Sequence, residues 1–256
     1  MRILTVLLAL LCTQAAMAQT SPADSAAKAK AAAKKKFDYN KLNLKNRAND
    51  HFMFQAGYDG WAGKPDSIQT SGFSRHLNVY VMMDMPFKTN PQWSVGIGVG
   101  IGSSNMFFEK TDIRLTSTAT SKTAAFTNVA DTNNFKKYKL TNVWAEAPVE
   151  LRWMKNPANP NKSLKIAIGA KVGTMISGYT KGKNLQSASG NSVYGNKYTM
   201  KVKERAFFNS TRLAGTLRVG YGALSLYGSF QVTGLFKEGA GPEVYPYSVG
   251  ICIAGL

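Results

Sequence analysis

The stretch Trp93-Ser-Val-Gly-Ile-Gly-Val-Gly-Ile-Gly102 decides the fold. Trp93, Val95, Ile97, Val99 and Ile101 alternate with Ser94, Gly96, Gly98, Gly100 and Gly102. Successive side chains of a β-strand point to opposite faces, so this segment has one wholly apolar face and one nearly bare. A helix would mix the two sets, and glycine at every second position would weaken it throughout. The glycines do not form a dinucleotide loop either, because no G-x-G-x-x-G register closes: Ile101 and Ser103 stand where the third glycine belongs.

The same period of two runs through the rest of the chain from His51 onward, giving eight segments. The first places Phe52, Phe54, Ala56 and Tyr58 opposite Met53, Gln55 and Gly57. The second places Leu77, Val79, Val81, Met83, Met85 and Phe87 opposite His76, Asn78, Tyr80, Met82 and Asp84. The Trp93 segment is the third. The fourth sets Val143, Ala145, Ala147, Val149, Leu151 and Trp153 against Asn142, Trp144, Glu146, Pro148, Glu150 and Arg152. The fifth runs over 164–173 with Lys165 and Lys171 on its polar face, and the sixth over 212–221 with Arg212 and Arg218. The seventh spans 224–236 and the eighth 247–253, with Cys252 read as a small apolar strand residue.

A soluble sandwich also alternates, so the arrangement of the connections matters. Lys88 to Pro91, Lys155 to Lys162 and Gly222 are short, whereas Asp59 to Gly72, Ser103 to Asn134, Gly178 to Arg205 and Lys237 to Pro246 are longer. Short turns on one rim and long loops on the other mark an up-and-down transmembrane barrel. Aromatic residues stand at the short-turn ends of the apolar faces, at Phe52, Phe87, Trp93, Trp153 and Tyr221, as expected of an interfacial girdle. A second girdle is expected near the long loops, from Tyr58, Phe73, Phe236 and Tyr247. The fold class is therefore all-β, an eight-stranded antiparallel barrel with its apolar face toward lipid. Past the first 20 residues no run of 18 apolar residues exists to form a membrane helix.

The inward face carries charge of both signs. Asp84, Glu146, Glu150, Arg152, Lys165, Lys171, Arg212 and Arg218 are predicted to form a lumen network, because eight strands enclose only enough room for side chains and buried charges need partners. The bare face of the third segment leaves space for large neighbours such as Trp144, Tyr80 or Tyr227.

Residues 1–18 read as a signal peptide, with Arg2, the apolar run Ile3–Leu11 and an Ala16-Met17-Ala18 cleavage site. Residues 19–50 form an Ala/Lys-rich tether, followed by the barrel at 51–256. An even strand count puts both mature termini in the periplasm, tether included. The tether reads first as a solvated leader, with an electrostatic contact to an acidic partner as the alternative. The basic longest loops read first as a solvated surface, with lipopolysaccharide phosphates or a protein partner as the alternative. The formal charge of +18 does not signal nucleic-acid binding, since an exported chain meets none and no recognition motif is present.

Catalytic signals are sparse. His51 and His76 are the only histidines, and no serine-nucleophile motif or carboxylate at fixed spacing accompanies His76. No cofactor or metal site is expected, and the glycine–lysine run at 178–183 lacks P-loop spacing.

The residues Leu140-Thr-Asn-Val-Trp-Ala-Glu-Ala-Pro-Val-Glu-Leu-Arg-Trp153, Lys165-Ile-Ala-Ile-Gly-Ala-Lys-Val-Gly173, Arg218-Val-Gly-Tyr-Gly222 and Leu224 to Lys237 resemble the PorT-type outer-membrane β-barrel family of Bacteroidota. Gly241-Pro242 followed by Tyr247-Ser-Val-Gly250 extends the likeness to most of 51–256, while the terminal Leu256 departs from the aromatic end of many such barrels. The resemblance implies an outer-membrane protein, with a named member in type IX protein secretion. The expected function is a barrel with a filled lumen, serving as a structural or interaction component of the envelope. The alternatives are a narrow porin-like channel for ions or small solutes, and a lipid A-modifying barrel enzyme working through His76.

Overall fold

The computed structural model describes residues 52–115 and 123–255. The expected signal peptide, the tether, His51 and Leu256 lie outside them. Eight strands form the wall: β1 (Phe52–Ala62), β2 (Arg75–Pro86), β3 (Trp93–Phe108), β6 (Asn134–Met154), β7 (Leu164–Gln186), β9 (Thr211–Tyr221), β10 (Leu224–Gln231) and β11 (Tyr245–Ala254). Each pairs antiparallel with the next, β1 pairs with β11, and the β6–β7 pairing completes a closed cylinder. Three further strands belong to the long connections. β4 (Thr111–Arg114) and β5 (Ala125–Asn128) make a separate hairpin, and β8 (Thr199–Lys203) adds to the far end of β7.

Side-chain direction follows the sequence alternation. Val99 is 65 % exposed, Ile168 60 % and Leu226 70 %, whereas Glu146 is 3 % and Arg218 6 % exposed. The greasy face is outside and the charged face is inside, the reverse of a water-soluble barrel. Closure follows from the same fact, because hydrocarbon offers no hydrogen bond to a free strand edge.

The glycines of β3 make room for inward side chains of the adjacent strands β2 and β6. A Cβ on Gly96 would fall 2.4 Å from Arg152 Nε, and one on Gly98 would fall 2.2 Å from Met82 Sδ. One on Gly100 would meet the Tyr80 ring at 2.5 Å, and one on Gly102 would stand 3.0 Å from Glu146 Oε2. Tyr80 is among the neighbours expected there; Arg152, Met82 and Glu146 take the other places.

Two features differ from the sequence reading. The wall is taller than the alternating segments suggested: β3 continues to Phe108, β6 begins at Asn134 and β7 runs to Gln186. Much of what reads as loop is paired strand, held by registers such as Phe107 with Lys139 and Lys139 with Lys181. A bulge at Val143/Trp144 shifts the β6–β7 register, which interrupts the alternation near Ile176. The second correction concerns the seventh strand, which ends at Gln231 and not at 236. Phe236 therefore turns into the barrel mouth, 5 % exposed, and is no part of an outer girdle.

Glycine inside and apolar residues outside make different demands on the wall. Gly98→Leu is expected to abolish the folded, heat-modifiable species on denaturing gels. Val99→Lys is expected to destabilise the barrel by about 2–4 kcal/mol in vesicle-based urea titrations. Gly215→Ala, whose Cβ would meet nothing within 4 Å, should fold as the parent does.

Candidate functional site

Pleating dictates which residues of each wall strand enter the lumen, and register dictates the level at which they meet. The result is three tiers, each centred on a carboxylate. Near the short turns, Glu150 Oε2 accepts from Arg152 Nε and from Arg218 Nη2, both at 2.9 Å. Arg152 Nη1 also lies 3.5 Å from Asp84 Oδ1. Lys165 stands beside this tier, lining with Asp84, Arg152 and Arg218 a cavity of about 20 Å3.

The middle tier is built on Glu146. Its Oε2 accepts from Lys171 Nζ at 3.2 Å and from the Tyr80 hydroxyl at 2.5 Å. Arg212 Nη1 lies 2.7 Å from Oε1, a coulombic contact and not an aligned hydrogen bond. Lys171 also donates to the Tyr80 oxygen at 3.3 Å, and the Arg212 guanidinium rests 5.3 Å from the Trp144 ring centroid. Glu146, Lys171 and Arg212 are all below 10 % exposed. Each would be costly to bury alone, so the tier holds only as a set.

The third tier, toward the long loops, was not legible as a site in the sequence. His76 Nδ1 lies 2.7 Å from Asp59 Oδ1, and its Nε2 meets the Tyr227 hydroxyl. Asp59 accepts from Ser248 Oγ at 2.6 Å and from Ser104 Oγ. A carboxylate only accepts, so the ring nitrogen facing Asp59 is the donor of that contact. His76 thus has a carboxylate partner after all, contrary to expectation. It is also 5 % exposed and inside the lumen, not at an open rim. In the sequence Asp59 reads as the start of a loop, because the first alternating segment closes at Tyr58. Continuing Met53, Gln55, Gly57 by one more step places Asp59 inward. A cavity of about 20 Å3 lies between this tier and the middle one, lined by Asp59, His76, Asn142, Lys171 and Arg212. Both cavities are on the scale of a single water.

Above the tiers the long connections fold inward as an apolar plug. Trp61 packs against Phe108 at 5.5 Å and Phe236 at 6.2 Å between ring centroids, and Phe208 stacks on Phe236 at 5.1 Å. Ile113, Leu115, Tyr138, Leu235 and Val244 complete the cluster, each 4 % exposed or less. Tyr138 ties the β4–β5 hairpin down by donating to Ile113 O at 3.0 Å and accepting from Ile113 N at 3.2 Å.

The outer wall shows where the remaining sequence-predicted residues fall. Trp93 and Trp153 are register partners across β3–β6, and Tyr221 pairs with Leu164 at the same rim. Phe52, Phe87, Trp93 and Tyr221 are each more than a third exposed. At the opposite end Tyr58 lies 5.7 Å from Phe73 and 6.4 Å from Tyr247 between ring centroids.

A family model described as outer membrane protein beta-barrel domain matches residues 30–237. The chain belongs to this family. Its barrel is therefore an outer-membrane barrel, and the exposed apolar belt is the surface that membrane demands. Among solved structures, the chain is similar to the crystal structure of Ail, the attachment invasion locus protein of Yersinia pestis, at 13% identity and a TM-score of 0.31. That match covers 79% of this chain and 95% of Ail. Ail in complex with the heparin analogue sucrose octasulfate gives 11% identity and a TM-score of 0.29, over 79% of this chain and 96% of that one. No curated protein matches the chain.

The outer-membrane barrel's middle tier has the most to lose from one deletion. Glu146→Ala leaves Lys171 and Arg212 buried without their shared anion. It is expected to lower stability by roughly 3–5 kcal/mol in reversible urea unfolding. Pairing it with Lys171→Met should recover part of that loss.

Proposed function

We propose that this outer-membrane barrel is a sealed structural or interaction component of the cell envelope. The observation that supports it is the lumen itself: three carboxylate-centred tiers of paired side chains, topped by the Trp61–Phe236 apolar plug. Such a cylinder anchors its loops and tether, and conduction is not its task.

In this reading both mature termini face the periplasm, so the tether at 19–50 presents its lysines there while the long loops face outward. Aromatic girdles at Phe52, Phe87, Trp93, Trp153 and Tyr221, and at Tyr58, Phe73 and Tyr247, seat the barrel between the two interfaces. The likeness of 140–153, 165–173 and 218–222 to PorT-type barrels supports a place among the components of type IX secretion. The partners are then envelope proteins met by the tether or the loops, together with outer-membrane lipid and lipopolysaccharide.

Planar-bilayer recording of the purified, folded protein checks the sealed lumen. The expected trace is flat across the applied voltages. Regular, reproducible conductance steps would favour a narrow channel and overturn the proposal. Affinity capture from native membranes with and without residues 19–50 tests the tether, which should be needed to retain a periplasm-facing partner.

A further inference from the structure

The tall side of the barrel carries an outward-facing cationic ladder that the sealed lumen does not explain. Across β6, β7 and β8, Lys139 stands opposite Lys181, and Lys181 stands opposite Lys201. One level further from the apolar belt Lys137 stands opposite Lys183, and one level nearer to it Tyr179 stands opposite Lys203. Their strand neighbours Tyr138, Leu140 and Thr180 are buried, so alternation points these lysines away from the lumen. The outward positions of this sheet, from Asn105 and Phe107 through Lys203, include no Asp or Glu. Among the described residues none of these lysines forms an ion pair.

Like charges directly opposite on a sheet repel. Partial burial holds the Lys139 ammonium below the usual lysine range, and Lys181, Arg75 and Lys183 push it the same way. A row of three lysines on adjacent strands therefore favours an anion that bridges it. The position of the row narrows what that anion is. Below it on the same face lie Ile176, 47 % exposed, and Val172, 49 % exposed, which belong to the lipid-facing belt. The cations themselves rest on outward rings. Lys201 Nζ is 3.9 Å from the Tyr179 centroid, Lys139 Nζ 5.8 Å from that of Phe107, and Arg75 Cζ 5.2 Å from the same ring. Asn105 Oδ1 accepts from Lys139 at 2.6 Å and holds its stem against the sheet. The charges are thus spread sideways, along the wall, at the level where hydrocarbon gives way to head groups.

We propose that the Lys139–Lys181–Lys201 row binds the phosphates of a glycolipid head group in the outer leaflet. Acyl chains of the same molecule lie along the apolar belt beneath, which a free anion or a soluble polymer would leave uncovered. Arg75 and Lys203 flank the row and widen it enough for two phosphates on one head group. The assignment rests on the outward orientation of the long loops proposed above, and deepens it by naming the lipid chemistry and the strand face.

The test uses the purified full-length mature protein in detergent, with bis-phosphorylated lipid A and its dephosphorylated form as probes. Native mass spectrometry and fluorescence competition give the binding constants. Lipid A is expected to bind the parent, and the triple variant Lys139→Gln/Lys181→Gln/Lys201→Gln to bind it about tenfold or more weaker. Dephosphorylated lipid A should bind both proteins equally weakly. A control removing the same charge at the other rim, Lys88→Gln/Lys155→Gln/Lys162→Gln, should bind like the parent. Heat-modifiable migration verifies that each variant is folded. Equal lipid A binding by parent and triple variant overturns the proposal. So does equal competition by inorganic pyrophosphate, which would assign the row to a free anion. Orientation is read separately, from impermeant maleimide labelling of Ser189→Cys and Thr89→Cys in intact cells. Labelling at Thr89→Cys alone would overturn the leaflet assignment without touching the binding result, so the two failures are distinguishable.

Discussion

Closure of the backbone ladder is the constraint on which everything else depends. In hydrocarbon an unpaired N–H or C=O costs several kcal/mol, so the sheet must meet itself, and the β6–β7 and β1–β11 pairings do so. Once the cylinder closes, pleating leaves no freedom: alternate residues face acyl chains or a cavity barely wide enough for side chains. Glycines at 96, 98, 100 and 102 and the bulky residues opposite them are two halves of one packing solution. So are the carboxylates and the cations. A narrow polar lumen cannot be left half filled, because any charge that loses its partner is buried without compensation.

The tiers and the plug divide the work of sealing. Ion pairs, together with a buried cluster of Met53, Tyr80, Met82, Tyr227, Cys252 and Ala254, fill the part of the cylinder within the membrane. Above it the wall outgrows the bilayer, and β3, β6 and β7 carry their alternation past the belt. There the outward side chains change from aliphatic to lysine, while the inward ones change from charged to aromatic. The two changes accompany each other. Outside, hydrocarbon has given way to head groups and water. Inside, the long connections fold over the mouth and bring apolar surface with them, so hydrophobic packing replaces ion pairing as the filler.

The wall was legible because its signal is local. Each of the eight strands shows its period of two within about ten residues, and the inward list of Asp84, Glu146, Glu150, Arg152, Lys171, Arg212 and Arg218 follows from counting. What was hidden is long-range. Residues 103–108 and 134–141 are paired strand too, but Met106, Phe108, Tyr138 and Leu140 face inward while Asn105, Lys137 and Lys139 face outward, the opposite of the membrane rule. Read by that rule, Met106, Phe108, Tyr138 and Leu140 look like loop. Asp59 was lost to the same habit, since an acid after an aromatic reads as the end of a strand. Its partners His76, Ser104, Tyr227 and Ser248 come from four other strands and share no spacing that one sequence reveals.

The inversion above the belt also explains why this face differs from an ordinary solvated surface. Lysine on an edge strand such as β8 discourages further pairing, but that reason does not reach Lys139 and Lys181 on the inner strands β6 and β7. Here one sign is repeated on three neighbouring strands, while Asp84, Glu146 and Glu150 face Arg152, Lys171, Arg212 and Arg218 inside the barrel. The outward wall positions of β6, β7 and β8 carry lysines with no acid among them, at the height proposed for head-group phosphates. Within the wall the pleat sorts the charges, with ion pairs facing the lumen and this lysine row facing outward.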